Sequence, residues 1–381
     1  MTRIFKSSPT AVMAGLLPLR HLRRACRRGG LAMTAGLAAL ALSAPALASG
    51  APLPVVASFS ILADMTRQIG GDRVVVRSLV AAGGDAHVYQ PSPADARAVA
   101  GAGLLVINGL GFEGWLGRLI RVSGYQGPAV TASAGVTPLR DSQDAHGTDM
   151  HDTGEHGEHK HGHGHGHDRH EAGGAPAHEG HDAHDGDDHG HGHEGGVDPH
   201  AWQSLDNGRI YARNIAAALA QADPGGAAAY AEGLRRYLAA LDATEAELRE
   251  MAARLPETRR QVITPHNAFG YFGAAYGLTF MAPQGATSDA AASAAGAARL
   301  IRLIRQDGLP AVFTEASADS RLLQQIARET GARIGGVLYA DTLSAPGGPA
   351  PTYLAMMRHN MRTIVDALTG GGEKGSGAAK D

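Results

Sequence analysis

Cysteine is almost absent from this chain of 381 residues: the single one, Cys26, lies within the first thirty positions. If that leader is removed, nothing is left to form a disulfide framework or a thiolate metal site, so any metal must be held by His and carboxylate. Aromatic residues are also scarce, at 5%, while the 52 Gly and abundant Ala point to tight helix packing and many turns. A surplus of positive charge is missing too. Seven Lys or Arg and no acid occupy residues 1–48, leaving 27 basic against 37 acidic residues in the remainder. A net −10 there makes nucleic acid or an anionic membrane surface a poor partner. Long hydrophobic runs are lacking beyond one near the start. The 44% apolar content is nevertheless enough for two ordinary cores, which excludes a fully disordered or fibrous chain.

That one run, Leu31 to Leu47, follows Arg3, Lys6, Arg20, Arg23, Arg24, Arg27 and Arg28 and ends in Ala46-Leu47-Ala48. A basic segment, a short apolar segment and an A-x-A site together read as a cleaved secretory signal over residues 1–48. A transmembrane anchor is the competing reading. It is disfavoured because the run is rich in Ala, broken by Pro45, and short of the roughly 20 strongly apolar residues that span a bilayer. Arg23 and Arg24 stand where a lipoprotein signal would need apolar and small residues before Cys26, so lipidation is not expected. The expected product is periplasmic, monomeric and without membrane insertion.

From Leu53 onward short β-rich runs alternate with helical ones, which implies parallel sheets flanked by helices. Strands are expected at Val55–Phe59, Val74–Val80, Leu104–Asn108 and Ala129–Ala132, with helices at Ile61–Ile69, Pro93–Ala100 and Trp115–Val122. A stretch over 141–198 breaks the pattern: fifteen His, about as many acids, many Gly and almost nothing apolar. It cannot bury a core and is expected to be a long disordered loop. Beyond it come a helix at Leu205–Gln221 and a longer one at Ala227–Leu255, its apolar stripe carried by Tyr230, Leu234, Leu238 and Leu241. A second α/β set follows, with strands at Gln261–Thr264, Leu278–Met281, Ala311–Thr314 and Ile334–Tyr339. Its helices are expected at Ala268–Tyr276, Ala292–Gln306, Arg321–Thr330 and Tyr353–Leu368. The organisation is therefore a signal at 1–48, an N-terminal α/β lobe over 49–222 containing the loop 141–198, a linker helix over 223–258, a C-terminal α/β lobe over 259–370, and a polar tail at 371–381.

Outside the leader and the polar loop only His87, His200, His266 and His359 remain. The first three occupy turns after a strand or just before a helix, where open α/β sheets place ligand sites. Any one of them alone would read as a cap or a surface residue; their number and placement make the case, together with Asp341 in Tyr339-Ala340-Asp341-Thr342. Asp341 has its own plain reading, as a turn cap. His359, inside the last helix beside Arg358 and Arg362, reads as a surface residue.

The ordered set Gly83-Gly84-Asp85-Ala86-His87-Val88-Tyr89-Gln90-Pro91-Ser92-Pro93, Asn108-Gly109-Leu110-Gly111-Phe112-Glu113, Asp198-Pro199-His200-Ala201-Trp202, His266-Asn267-Ala268-Phe269-Gly270-Tyr271-Phe272 and Phe313-Thr314-Glu315 resembles the solute-binding proteins of metal ABC transporters, cluster A-I, and among them the periplasmic zinc receptors. The resemblance covers essentially the whole chain after the leader. It implies two α/β lobes joined by a rigid helix, one metal clamped in the cleft between them, an inner-membrane permease as partner, and no catalytic role. By motif match His87 and His200 come from the first lobe, His266 and Asp341 from the second. Manganese members of that family carry a carboxylate where His266 stands, so the resemblance favours Zn2+ as the carried ligand over manganese. Two departures are visible: Ala86 replaces an acid found in some zinc members just before the first His, and the second-lobe disulfide of some members is absent.

Three neutral imidazoles and one carboxylate suit tetrahedral Zn2+ and leave no open position for a reactive water. The rival is a secreted zinc hydrolase with Asp341 as general base, which lacks an H-E-x-x-H motif. A third reading is a metal store using the loop alone. Within the loop, His161, His163, His165, His167, His189, His191 and His193 form alternating runs suited to weak capture of Zn2+, and a solvated spacer is the plainer alternative. Glu113 and Glu315, close to strand ends, are either partners that orient imidazoles or helix caps.

Overall fold

In the computed structural model, residues 51–140, 196–285 and 294–370 are described. The signal, the tail, and the loop histidines His161, His163, His165, His167, His189, His191 and His193 lie outside the described residues.

Strand β1 (Leu53–Phe59) is the axis of the first half. Its last five residues are buried on both faces, as a central parallel strand requires. It pairs in parallel with β2 (Val74–Val80), Val55 opposite Val76, and with β3 (Leu104–Ile107), Val55 opposite Leu104. β4 (Ala129–Thr131) adds to β3, giving a four-stranded parallel sheet in the order β2-β1-β3-β4. Helices α1 (Ser60–Gly70), α2 (Pro93–Ala100) and α3 (Leu116–Ser123) make the crossovers. α2 starts where its sequence says it should: Ser92 and Asp95 form a reciprocal capping box and Pro93 takes the first helical position.

After the polar segment, α4 (Leu205–Ala222) and α5 (Ala227–Ala252) pack on each other and on α1. α5 has 26 residues, about 39 Å at 1.5 Å per residue. Its approach to α1 needs a glycine, because a Cβ on Gly233 would stand 2.0 Å from the Ile69 carbonyl oxygen. The helix stops at Ala252, not Leu255. The last turn tightens, with Leu255 N–H donating to Ala252 O, and the Arg260 guanidinium also donates to the carbonyls of Ala252 and Leu255.

The second half is built of two small parallel pairs. β5 (Gln261–Ile263) pairs with β6 (Thr279–Met281), and β7 (Ala311–Glu315) with β8 (Arg333–Leu338). Helices α6 (Gly270–Tyr276), α7 (Ala294–Asp307), α8 (Arg321–Thr330) and α9 (Tyr353–Thr369) flank them. α6 starts two residues later than its sequence pattern suggests, since Ala268 N–H and the Thr264 hydroxyl both bond the His266 carbonyl and hold a turn there. α8 ends at Gly331 in the left-handed region, as expected. The fold is thus mixed α/β, with parallel sheets flanked by helices.

Two hydrophobic clusters fill this frame. The larger runs from the first sheet through α4, α5 and α6 to α9. The smaller holds Ile263, Leu300, Ile304, Val312, Leu323, Ile326 and Ala327, between α7, α8 and their strands. Among the described residues no helix is long and apolar enough to cross a membrane.

Candidate metal centre

Three loops at strand ends and the turn that leads into α4 converge. His87 comes from the segment after β2, where the Asp85 carboxylate accepts its backbone N–H at 2.8 Å and Trp115 Nε1 donates to Ala86 O. Its ring stands edge-on to Phe112, centroids 4.8 Å apart. His200 follows Pro199, whose carbonyl accepts from Asn108 Nδ2. His266 follows β5, and Asp341 follows β8. Just before Asp341, where the β ladder ends, the buried Asn360 amide of α9 replaces it: Tyr339 N–H donates to Asn360 Oδ1 and Asn360 Nδ2 donates to Tyr339 O.

His87, His200, His266 and Asp341 each turn one ligand atom inward, and these atoms lie within 4.8 Å of one another. Asp341 Oδ2 is 3.3 Å from His87 Nε2 and 3.2 Å from His266 Nε2, and Oδ1 is 3.4 Å from His200 Nε2. The Nε2 atoms of His87 and His200 are 3.4 Å apart. A tetrahedron with bonds of about 2.0–2.1 Å has edges of about 3.3–3.4 Å, the size of these four separations. His200, His266 and Asp341 are all at least 99% buried. No aligned hydrogen bond with a described residue is made by His266 Nε2 and Asp341 Oδ1, nor by His266 Nδ1 and Glu315 Oε2, which is unusual for buried polar atoms.

The outward nitrogens of two imidazoles are held by carboxylates. His200 Nδ1 is 2.7 Å from Asp198 Oδ1, which also accepts the His200 backbone N–H. His266 Nδ1 is 2.6 Å from Glu315 Oε2 at the end of β7. A carboxylate on Nδ1 selects the tautomer whose Nε2 lone pair faces the centre. Burial opposes charge on His266, but Glu315 and Asp341 outweigh it and lift its pKa well above the usual imidazole value. Burial likewise opposes charge on Asp341; His200 and His266 outweigh it and hold its carboxyl well below the usual range.

Glu315 therefore orients an imidazole, whereas Glu113 does not touch one. Glu113 accepts from Ser58 Oγ, Asn108 N–H and Gly109 N–H, and burial still pushes its carboxyl up despite those bonds. It ties down the turn in which Leu110, at φ 55°, is the one non-glycine with positive φ among the described residues. That turn presents Phe112 to His87 and to Trp202. His359 stays outside the cluster. It is half-buried rather than on the open surface, with Nε2 at 2.9 Å from the Val337 carbonyl.

Asp198 was missed by composition, which assigned it to the polar loop. It is 2% exposed, and the loop in fact closes at Arg140 and Val197, joined by an antiparallel bridge. An acid two residues before a ligand-type His, separated by Pro, was the available sign.

Comparison with known proteins places the whole chain. Residues 55–367 match the family described as zinc-uptake complex component A, periplasmic. The chain is 30% identical over 311 residues to the iron-binding protein YfeA of Yersinia pestis, covering 82% of this chain and 85% of that protein. It is 28% identical to the manganese-binding lipoprotein MntA of Halalkalibacterium halodurans, over 84% of this chain and 90% of the relative. Among solved structures, the periplasmic zinc-binding protein TroA of Treponema pallidum superposes with a TM-score of 0.66 at 25% identity, covering 84% of this chain and 99% of TroA. The family match and these relatives define a metal-binding receptor of the ABC-transporter type. The chain belongs to the periplasmic zinc-uptake component A family.

Proposed function

We propose that this protein is a periplasmic zinc receptor that captures Zn2+ through His87, His200, His266 and Asp341 and delivers it to an ABC importer permease. The observation that carries the reading is that three Nε2 atoms stand 3.2–3.4 Å from the Asp341 carboxylate, those of His87 and His200 being 3.4 Å from each other. Three imidazoles and one carboxylate suit zinc, while manganese favours oxygen-rich surroundings. The relatives named for manganese and iron support a second reading, a receptor for another divalent metal. Titration of metal-free protein with Zn2+, Mn2+ and Fe2+ separates them: one tight Zn2+ site with Mn2+ at least a hundredfold weaker supports zinc, and the reverse order overturns it.

As a receptor the protein needs no vacant coordination position. A hydrolase would require Asp341 to stand off the metal with a water between; an Asp341–metal distance near 2 Å in a zinc-bound crystal structure excludes that. The proposed parts are an exported first lobe over 49–222, a linker helix over 223–258 and a second lobe over 259–370, acting as a monomer. Docking on the permease parts the lobes and distorts the coordination. The histidine-rich segment gathers Zn2+ weakly, and its deletion over 144–194 leaves the tight site in place.

A further inference from the structure

The segment that supplies His266 continues into α6, and the first two residues of that helix, Gly270 and Tyr271, both meet Asp198. Asp198 is the acid behind His200: its Oδ1 accepts the His200 backbone N–H at 3.0 Å and stands 2.7 Å from Nδ1. The Tyr271 hydroxyl sits between two backbone groups, accepting Leu139 N–H and donating to Asp198 O, each at 2.9 Å. Asp198 N–H donates in turn to Leu139 O at 2.8 Å. Tyr271 and Asp198 are both buried. A buried carbonyl that loses its donor has no water to replace it, so the hydroxyl fixes the backbone from which the carboxylate projects.

Gly270 acts on the other end of the same side chain. A Cβ there would stand 2.6 Å from Asp198 Oδ2, well inside ordinary contact, while its next neighbours, Asp198 Cγ and Leu139 Cδ1, lie at 3.9 Å. Gly270 is not among the residues of positive φ, so the backbone does not itself call for glycine. What excludes a side chain is the carboxylate. Its two oxygens share one rigid plane, and turning Oδ2 out of the way turns Oδ1 off the His200 ring. On the opposite flank Asn108 Nδ2 donates to Pro199 O at 3.0 Å, so the Asp198–His200 turn is gripped from both sides.

We infer that Gly270 and Tyr271 are positioning residues for His200, acting through Asp198, so that one short stretch of chain supplies one ligand and orients a second. This inference rests on the receptor reading and deepens it.

Zn2+ affinity of the full chain, measured by competition with a chelator, tests it in a set of double-mutant cycles. Gly270→Ala is expected to weaken Zn2+ about tenfold and Tyr271→Phe about three- to tenfold, at or below the range of an outer partner of a ligating imidazole. In an Asp198→Ala background, where no carboxylate is left to be displaced, each is expected to cost no more than about twofold further; in a His266→Ala background each keeps its full cost. Nuclear magnetic resonance of the Zn2+-loaded chain supplies the second readout. The His200 Nδ1 proton, identified by its shift in Asp198→Asn, is expected to move upfield in both variants, while the His266 Nδ1 proton, identified by Glu315→Gln, holds its position.

A lowered melting temperature with the same loss of affinity in the wild-type and Asp198→Ala backgrounds would make the two residues structural and overturn the assignment. So would wild-type affinity in Gly270→Ala, or costs that vanish in the His266→Ala background instead. Either variant carries the test alone should the other fail to fold. Those outcomes leave zinc capture standing; absence of saturable Zn2+ binding by the unsubstituted chain overturns the receptor reading and the inference with it.

Discussion

The two halves of the molecule solve the same packing problem at different scales. The first has a four-stranded parallel sheet whose central strand is buried on both faces, continuous with the helices α4 and α5. The second has two-stranded pairs, part of its interior being a separate cluster of seven residues. α7 and α8 with parts of β5 and β7 thus have a core of their own, while the rest of the second half shares the larger one. The candidate ligand cluster draws His87 and His200 from the first half and His266 and Asp341 from the second.

Removing one ligand strikes that comparison hardest. His266→Ala is expected to lower Zn2+ affinity by more than about a thousandfold, above the 10–100-fold typical of outer partners, as read by competition with a chelator. Core truncation separates the halves next. Leu62→Ala in the first and Ile326→Ala in the smaller cluster each cost about 2–5 kcal/mol. The first lowers the global melting transition; the second speeds amide exchange in α7 and α8 with the first sheet unchanged. A single shared shift in both variants would show that the halves unfold as one.

The partners on Nδ1 come third. Glu315→Gln and Asp198→Asn are each expected to weaken Zn2+ about 10–100-fold with stoichiometry intact, measured by calorimetry. The pH response follows from the same contact. The proton on His266 is held by Glu315 and Asp341 and must leave before Nε2 can bind a cation. Affinity is therefore full above the raised His266 pKa and lost as pH falls through it, starting above the roughly 6.5 of a free imidazole. Calorimetry between pH 9 and 5.5 reads this, and Glu315→Gln should move the midpoint down. The smallest effect lies in the scaffold: Ser92→Ala removes the cap of α2 beside the His87 segment and costs about 1 kcal/mol in denaturant unfolding, with Zn2+ affinity unchanged.

Much of the frame was legible in the chain. Val74–Val80, Pro93–Ala100 and Arg321–Thr330 fall where periodicity and caps put them, because those elements are set by neighbours within a few residues. The misplaced ends have long-range causes. α5 ends early under Arg260, and α6 starts late because the turn that presents His266 borrows its first bonds. Asp198 was hidden by the company it keeps, a polar stretch with fourteen other acids.

Residue type and local order by themselves determined the alternation of strands and helices and the short roster of histidines able to serve a cation. Only the tertiary structure decided that Asp198 and Glu315 back two of those imidazoles, that Glu113 braces a turn instead, and that the Ala340 carbonyl is gripped by residues 137 and 138 positions away. The reason is physical: a helix or strand is chosen by interactions a few residues long, whereas the orientation of a buried imidazole is chosen by whichever distant group meets its second nitrogen.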